Sequence, residues 1–220
     1  MIRRTLVRWL LFGVAVLGCA QPKTKRIPVV ASTALISTIV QAVGGDRFAV
    51  TTIAPAGICP GHFDLKPSDV TAANNARLIL SHGWEAWYPG LEKAIIPPRL
   101  RRVTLTTQDN WMIPNVQKRA AAEITALLME LDSARADTYR LAAERYAADI
   151  DSAAAAARTM LAGKTLPVVI AAEEQSPFVV WLGFHLVATY GRAEDFSAQE
   201  MTRLARVAID SGVKLIVDNL

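Results

Sequence analysis

Two cysteines and three histidines in 220 residues leave few soft or imidazole donors. Cys19 falls in an N-terminal leader, so Cys59 is alone in the body and no internal disulfide is available to it. Stability must come from a packed core, for which 52% apolar composition is ample. Aromatic residues make up 7% of the chain, and no stripe of Lys and Arg is interleaved with them, which argues against nucleic acid as a partner. There is no Gly-x-Ser-x-Gly elbow, no His-Glu-x-x-His helix and no phosphate-binding loop. The common hydrolase and nucleotide-dependent chemistries are therefore absent, and the chain reads as a non-enzyme.

Arg3, Arg4 and Arg8 precede or enter an apolar stretch, Leu10 to Leu17, that is too short to span a bilayer as a stable helix. It ends Val16-Leu17-Gly18-Cys19, which resembles the bacterial lipobox. Residues 1–18 are accordingly expected to be a lipoprotein signal peptide. Residues 19–26 become a tether anchored through lipidated Cys19 to the outer side of a bacterial membrane. An ordinary secretory signal or an uncleaved anchor is the alternative. The leader and tether hold six basic residues and no acid. The rest of the chain therefore carries 18 basic against 20 acidic residues, a net charge of −2, although the whole chain is +4.

From Ile27 onward, strand and helix patterns alternate. Ile27 to Ala31, Phe48 to Ile53, Leu78 to Leu80 and Arg102 to Leu105 read as strands. Between them lie a helix with Leu35, Ile36, Ile39, Val40 and Val43 on one face, a short helix capped by Ser68, and a helix from Glu85 to Ile96. This order favours a parallel sheet covered by helices. Pro114 opens a helical region that is interrupted near Asp132-Ser133 and closed by Gly163. Tyr139, Ala142, Tyr146, Ile150, Ala153, Ala157 and Leu161 form an apolar stripe along its second half. Pro167 to Ala171 reads as a strand, Phe178 to Tyr190 as a helix with His185 in its core, Ser197 to Glu200 as a capping box, and Val213 to Val217 as a strand.

The expected organisation is an α/β fold of two lobes, 27–113 and 164–220, joined by a long rigid helical linker at 114–163. The second lobe carries too few elements to cover its sheet on both faces, so it is expected to be truncated.

The run Ile58-Cys59-Pro60-Gly61-His62-Phe63-Asp64 places a thiol, an imidazole and a carboxylate within six residues, just beyond the carboxyl end of a strand. Open α/β sheets form their ligand crevices there, and mixed soft and hard donors suit a transition metal. His62 could equally cap a helix or bond within a turn, and Cys59 could be an inert buried thiol. His82, beside Gly83, reads as a structural loop residue.

Several segments together resemble the zinc/manganese-type metal-binding solute-binding lipoproteins of ABC transporters. They are Gly44-Gly45-Asp46, the His62 loop with Lys66-Pro67-Ser68-Asp69, Leu80-Ser81-His82-Gly83-Trp84, and Trp111-Met112-Ile113-Pro114. The resemblance implies two lobes with a metal between them, an ABC permease and its ATPase as partners, and a monomer. Its ligand pattern places His62 first. The position two residues before Trp111, where that family has a histidine, is Asp109 here, and Asp109 reads equally as a helix-entry cap. Glu173 or Glu174 stands for the second-lobe donor. One imidazole with carboxylates is a harder site than three histidines and moves preference toward manganese or iron, whereas Cys59 would favour zinc. The alternatives are a tethered structural or adhesive lipoprotein without metal and, further off, a hydrolase.

Overall fold

Two parallel sheets carry the chain, and the computed structural model describes residues 25–58, 63–96, 100–192 and 196–218 of it. The leader with Cys19, and the stretch from Cys59 to His62, lie outside the described residues. The first sheet contains β1 (Ile27–Thr33), β2 (Phe48–Ala54), β3 (Leu78–Ser81) and β4 (Arg101–Thr104) in the order β2-β1-β3-β4, with every pair parallel. Between them run α1 (Ala34–Gly44), α2 (Pro67–Asn75) and α3 (Tyr88–Ala94).

Strand alternation sorts the core. Val29, Ala31, Leu78 and Leu80 face one layer with Ile36, Ile39 and Val40 of α1, while Val30 and Ile79 face the other with Trp87, Tyr88 and Leu91. Burial on both faces explains why these strands read as unbroken apolar runs.

Local details depart from the sequence reading. Leu35 is half exposed and does not join the buried stripe of α1. Ser68 does not cap α2. The Asp69 carboxylate does so by accepting the Lys66 backbone N–H at 2.8 Å, with Pro67 at the first helical position. Helix α3 begins at Tyr88 rather than Glu85, because the Glu85 carboxylate is engaged in the preceding turn.

The helical region divides at Asp132 into α4 (Pro114–Leu131) and α5 (Ala136–Leu161), with a single 3-10 turn between them. The two helices pack antiparallel: Gln117 Nε2 donates to the Tyr146 hydroxyl at 3.0 Å, and Lys118 Nζ pairs with Asp151 at 2.5 Å. The apolar stripe of α5 is only partly used, with Ala157 and Leu161 half-buried. Tyr139 and Ile150 are buried, whereas Ala153 is exposed.

The break is stapled back onto the sheet. Asp132 Oδ2 accepts from Arg47 Nε and from the Tyr139 hydroxyl, each at 2.7 Å, and the Tyr139 ring lies 5.5 Å from Phe48. The hydrogen bond from Arg47 holds the Asp132 carboxyl below its ordinary value, and burial first, then Asp132, pushes the Tyr139 phenol up to about 12. A carboxyl depressed on folding stabilises fully above its unfolded value, and that contribution fades as pH falls through the lower native value. Asp132→Asn is therefore expected to flatten the acid limb of a melting-temperature profile taken from about pH 6 to about pH 3. An unchanged acid limb would mean that the staple is not formed in solution.

The second sheet contains β5 (Val168–Ala172), β6 (His185–Tyr190) and β7 (Leu215–Val217) in the order β6-β5-β7, again parallel. The expected helix over Phe178 to Tyr190 is instead α6 (Ser176–Trp181) followed by β6. Gly183, at φ 92, turns the chain between them, and the run Leu186 to Thr189 has the branched character of a strand. His185 consequently stands exposed at the start of a strand, not inside a helix core. Ser197 caps α7 (Ala198–Asp210), accepting the Glu200 N–H at 3.1 Å as its capping box implied. The core of this sheet is small, with Val169, Ala171 and Val179 buried, and Ile209 on α7 is 79% exposed. Among the described residues no helix is long and apolar enough to cross a membrane.

Candidate functional site

Buried polar groups in the first sheet gather at the carboxyl ends of its strands. Ser32 and Thr33 end β1, Ser81 ends β3, and His82 and Glu85 follow in the turn to α3; all are buried. Such groups persist away from water only when they are paired or serve a site. Most are paired. His82 Nε2 and Thr33 Oγ1 lie 2.9 Å apart, the two Glu85 oxygens accept the backbone N–H groups of His82 and Gly83 at 2.8 Å each, and Gln108 Nε2 donates to the His82 carbonyl at 2.7 Å.

The His82 ring is stacked under Trp84 at 5.0 Å and meets the edge of Trp111 at 4.5 Å. Burial lowers its pKa and the Glu85 charge opposes this, so the imidazole is held neutral. Gly83 makes the turn with φ 93, and a Cβ there would come within 2.6 Å of Thr104 Cγ2.

The loop from β4 to α4 forms the adjoining wall. The Glu123 carboxylate accepts from the Thr106 N–H at 2.6 Å and from the Thr107 N–H and hydroxyl at 3.1 and 2.9 Å. Burial pushes its pKa up, but these bonds outweigh burial and hold it below the ordinary range. Trp111 Nε1 donates to the Thr107 carbonyl at 3.0 Å. Asp109 pairs with Arg119 on α4, and its side chain is 68% exposed. It does not cap α4, which starts at Pro114 with no side-chain cap.

Opposite stands the turn from β5 to α6. The Glu173 N–H bonds the Tyr190 carbonyl at 2.9 Å, and both acidic side chains are exposed. Asn110 Nδ2 donates to the Glu174 carbonyl at 2.8 Å, while Asn110 Oδ1 accepts the Met112 N–H at 2.9 Å. The Asn110 bond thus brings the loop that holds Asp109 beside the Glu173-Glu174 turn. His62 lies outside the described residues. Its neighbour Phe63 is buried against Trp87 with ring centroids 5.5 Å apart. Among the described residues, no three of His, Cys, Asp and Glu converge closely enough to hold a metal ion.

Sequence reasoning missed the packing of His82 on Trp111 and the Asn110 bridge. A signal for the first was present: a histidine directly after a strand, followed by glycine and an aromatic, at the edge where crevices form.

Comparison with known proteins fits this geometry. A family model described as the periplasmic component A of the zinc-uptake complex (ZnuA) matches residues 29–219. The iron ABC transporter substrate-binding lipoprotein MtsA of Streptococcus pyogenes serotype M1 is 30% identical over 91 residues, which are 39% of this chain and 29% of that protein. A crystal structure of ZnuA aligns with TM-score 0.76 at 18% identity, covering 88% of this chain and 82% of that one. A periplasmic metal-binding protein of Candidatus Liberibacter asiaticus aligns with the same TM-score of 0.76, at 20% identity over 88% of this chain and 79% of that one. Similarity at that level carries the fold, while the family model spans nearly all of the described body. The chain belongs to the family of periplasmic zinc-uptake component A.

Proposed function

We propose that this chain is the extracytoplasmic solute-binding component of an ABC transporter, and that it captures a divalent transition metal ion between its lobes for delivery to a permease and its ATPase. It is not an enzyme. The observation that carries this reading is the meeting of donor-bearing loops of both sheets across the Asn110–Glu174 hydrogen bond. Family membership supports the same reading. Relatives include an iron ABC transporter substrate-binding lipoprotein and manganese-bound and cadmium-bound periplasmic metal-binding proteins.

His62, Asp109, Glu173 and Glu174 are the candidate donors, with the metal as cargo rather than resident cofactor. Asp109 would have to exchange Arg119 for the ion, which limits affinity unless another donor contributes. The carboxylate-rich set favours manganese, iron or zinc, in proportions governed by whether Cys59 takes part. Lobes 27–113 and 164–220 would close about the ion. The α4–α5 hairpin packed on the first sheet restricts wide hinge motion, so release depends on the second lobe shifting when docked. Lipidated Cys19 would hold this monomer at the outer face of a bacterial membrane.

Elemental analysis of the full chain in detergent, after incubation with equimolar Zn, Mn, Fe(II), Co and Ni, tests the reading alongside His62→Ala. About one bound metal per chain, lost in the variant, is expected. A well-folded chain without metal would instead favour a tethered structural lipoprotein.

A further inference from the structure

Every strand of the first sheet is entered from basic residues. Lys25 and Arg26 precede β1, Arg47 precedes β2, Arg77 precedes β3, and Arg101 and Arg102 open β4. All four strands run parallel, so these residues gather at one end of the sheet, opposite the His82 turn and the loop that bears Asp109. On the reading that the chain is tethered to a membrane through its N-terminal segment, we propose that this basic edge is a docking surface for the anionic phospholipid headgroups of that membrane.

Neighbouring strands lie about 4.8 Å apart, which places the four strand entries within about 15 Å. Backbone bonds hold them side by side: the Arg77 N–H donates to the Pro28 carbonyl at 2.8 Å, and the Arg101 N–H donates to the Arg77 carbonyl at 3.2 Å. Asp46, Asp132 and Glu130 pair with Arg26, Arg47 and Arg101. Lys25, Arg77 and Arg102 are exposed, and among the described residues none of them has an ion-pair partner. Their charges are therefore free for phosphate oxygens, which arginine binds through two parallel N–H groups. The negative ends of α1, α2 and α3 lie at the same edge and attract part of this charge. They do not account for Ile96. It is 85% exposed just beyond α3, with its N–H held by Asn74 Oδ1 on α2 at 2.9 Å. An apolar side chain among cations suits the boundary between headgroups and acyl chains.

Charge in this lobe is polarised along the strands. Asp64, Asp69, Glu85 and Asp109 lie in the loops and the first turn of α2 at the carboxyl ends, where Lys66 is the nearby cation. A lobe so polarised turns its basic end toward a negative surface. The chain also enters β1 at that end, and the eight residues from Cys19 to Arg26 reach at most about 28 Å. Confinement within that distance raises the effective concentration of the edge at the bilayer, so a few cations suffice to dock it. In this pose the carboxyl ends of the strands, with their donor-bearing loops, face away from the bilayer and toward incoming ions.

The test reconstitutes the full chain with vesicles of phosphatidylcholine alone or mixed with phosphatidylglycerol, follows flotation, and reads phenylglyoxal modification of each arginine by mass spectrometry. On the mixed vesicles at low salt, Arg77 and Arg102 are expected to react about fivefold more slowly than on phosphatidylcholine. Arg206, exposed on α7 of the second sheet, serves as the internal control and should not change. High salt should abolish the protection. The double variant Arg77→Glu with Arg102→Glu, checked by thermal melting, should lose protection at Arg26 as well.

Equal rates on the two vesicle types, in a chain that floats with both, overturn the docking edge and leave the membrane tether standing. Flotation with the mixed vesicles alone, with Arg77 and Arg102 protected, removes the tether and keeps the edge. A chain that floats with neither overturns both. Equal protection by polyglutamate in solution would assign the edge to an acidic protein surface and overturn the lipid assignment. Should the double variant fail to fold, the wild-type rates on the two vesicle types decide the matter by themselves.

Discussion

Gly83→Ala is expected to destabilise the chain by about 2–4 kcal/mol, combining left-handed strain with an overpacked contact. At φ 93 the position is hostile to any side chain, and the new methyl would sit 2.6 Å from Thr104 Cγ2 on β4. Relief by moving the loop is blocked. The Gly83 N–H is held by Glu85, and its neighbour His82 is tied to Thr33 and Gln108. Gly212 supplies the control: it closes α7 at φ 64 with the Val213 N–H bonding the Ala208 carbonyl at 2.9 Å, and nothing lies within 4 Å of its would-be Cβ. Gly212→Ala should therefore cost only about 1 kcal/mol from backbone strain. Urea midpoints of the two variants measure the difference directly. Equal, small losses would mean that the β3–α3 turn is loose in solution.

Tyr139→Ala carries the second large effect, a loss of about 3–5 kcal/mol. Tyr139 is among the largest fully buried side chains, with 1% exposure, and it joins α5 to Phe48 at the start of β2. Tyr139→Phe separates the ring from its hydroxyl. It keeps the packing and removes one hydrogen bond to Asp132, so about 1 kcal/mol should be lost. The position matters beyond stability, because α5 leads from the first sheet to the second. A chain whose α5 has lost its anchor should also hold the lobes less precisely and bind metal more weakly. If alanine and phenylalanine had equal effects, the ring would not be packed as described.

The first sheet was legible because its strands are buried on both faces. Ile27 to Ala31 and Leu78 to Leu80 are short apolar runs bounded by turn residues, and such runs have few other homes. The second sheet was harder to read. A six-residue helix and a six-residue strand, joined at Gly183, merge into one apolar stretch whose length suggested a single helix. Periodicity also overstated α5, since an apolar stripe records what a helix can bury and not what packs against it. Ala153, on the same stripe as the buried Ile150, is exposed.

For the candidate site, residue types were legible and orientations were not. The exposed Asp109 pairs with Arg119, ten residues away on the next helix, a tertiary choice that no local pattern encodes. The sequence reads His82 as a structural loop residue from its loop position. The converging contacts of Thr33, Trp84 and Trp111 come from three separate segments and emerge only when β1, β3 and the β4–α4 loop are side by side.

X-ray absorption of the metal-loaded full chain tests the central claim most directly, because it reads the donors around the ion. The expected spectrum for zinc has a first shell of nitrogen and oxygen at about 2.0–2.1 Å with imidazole outer-shell scattering, and a sulfur shell at about 2.3 Å only if Cys59 takes part. A chain that retains no ion, or an ion surrounded by water oxygen alone with no imidazole scattering, would contradict capture between the two lobes.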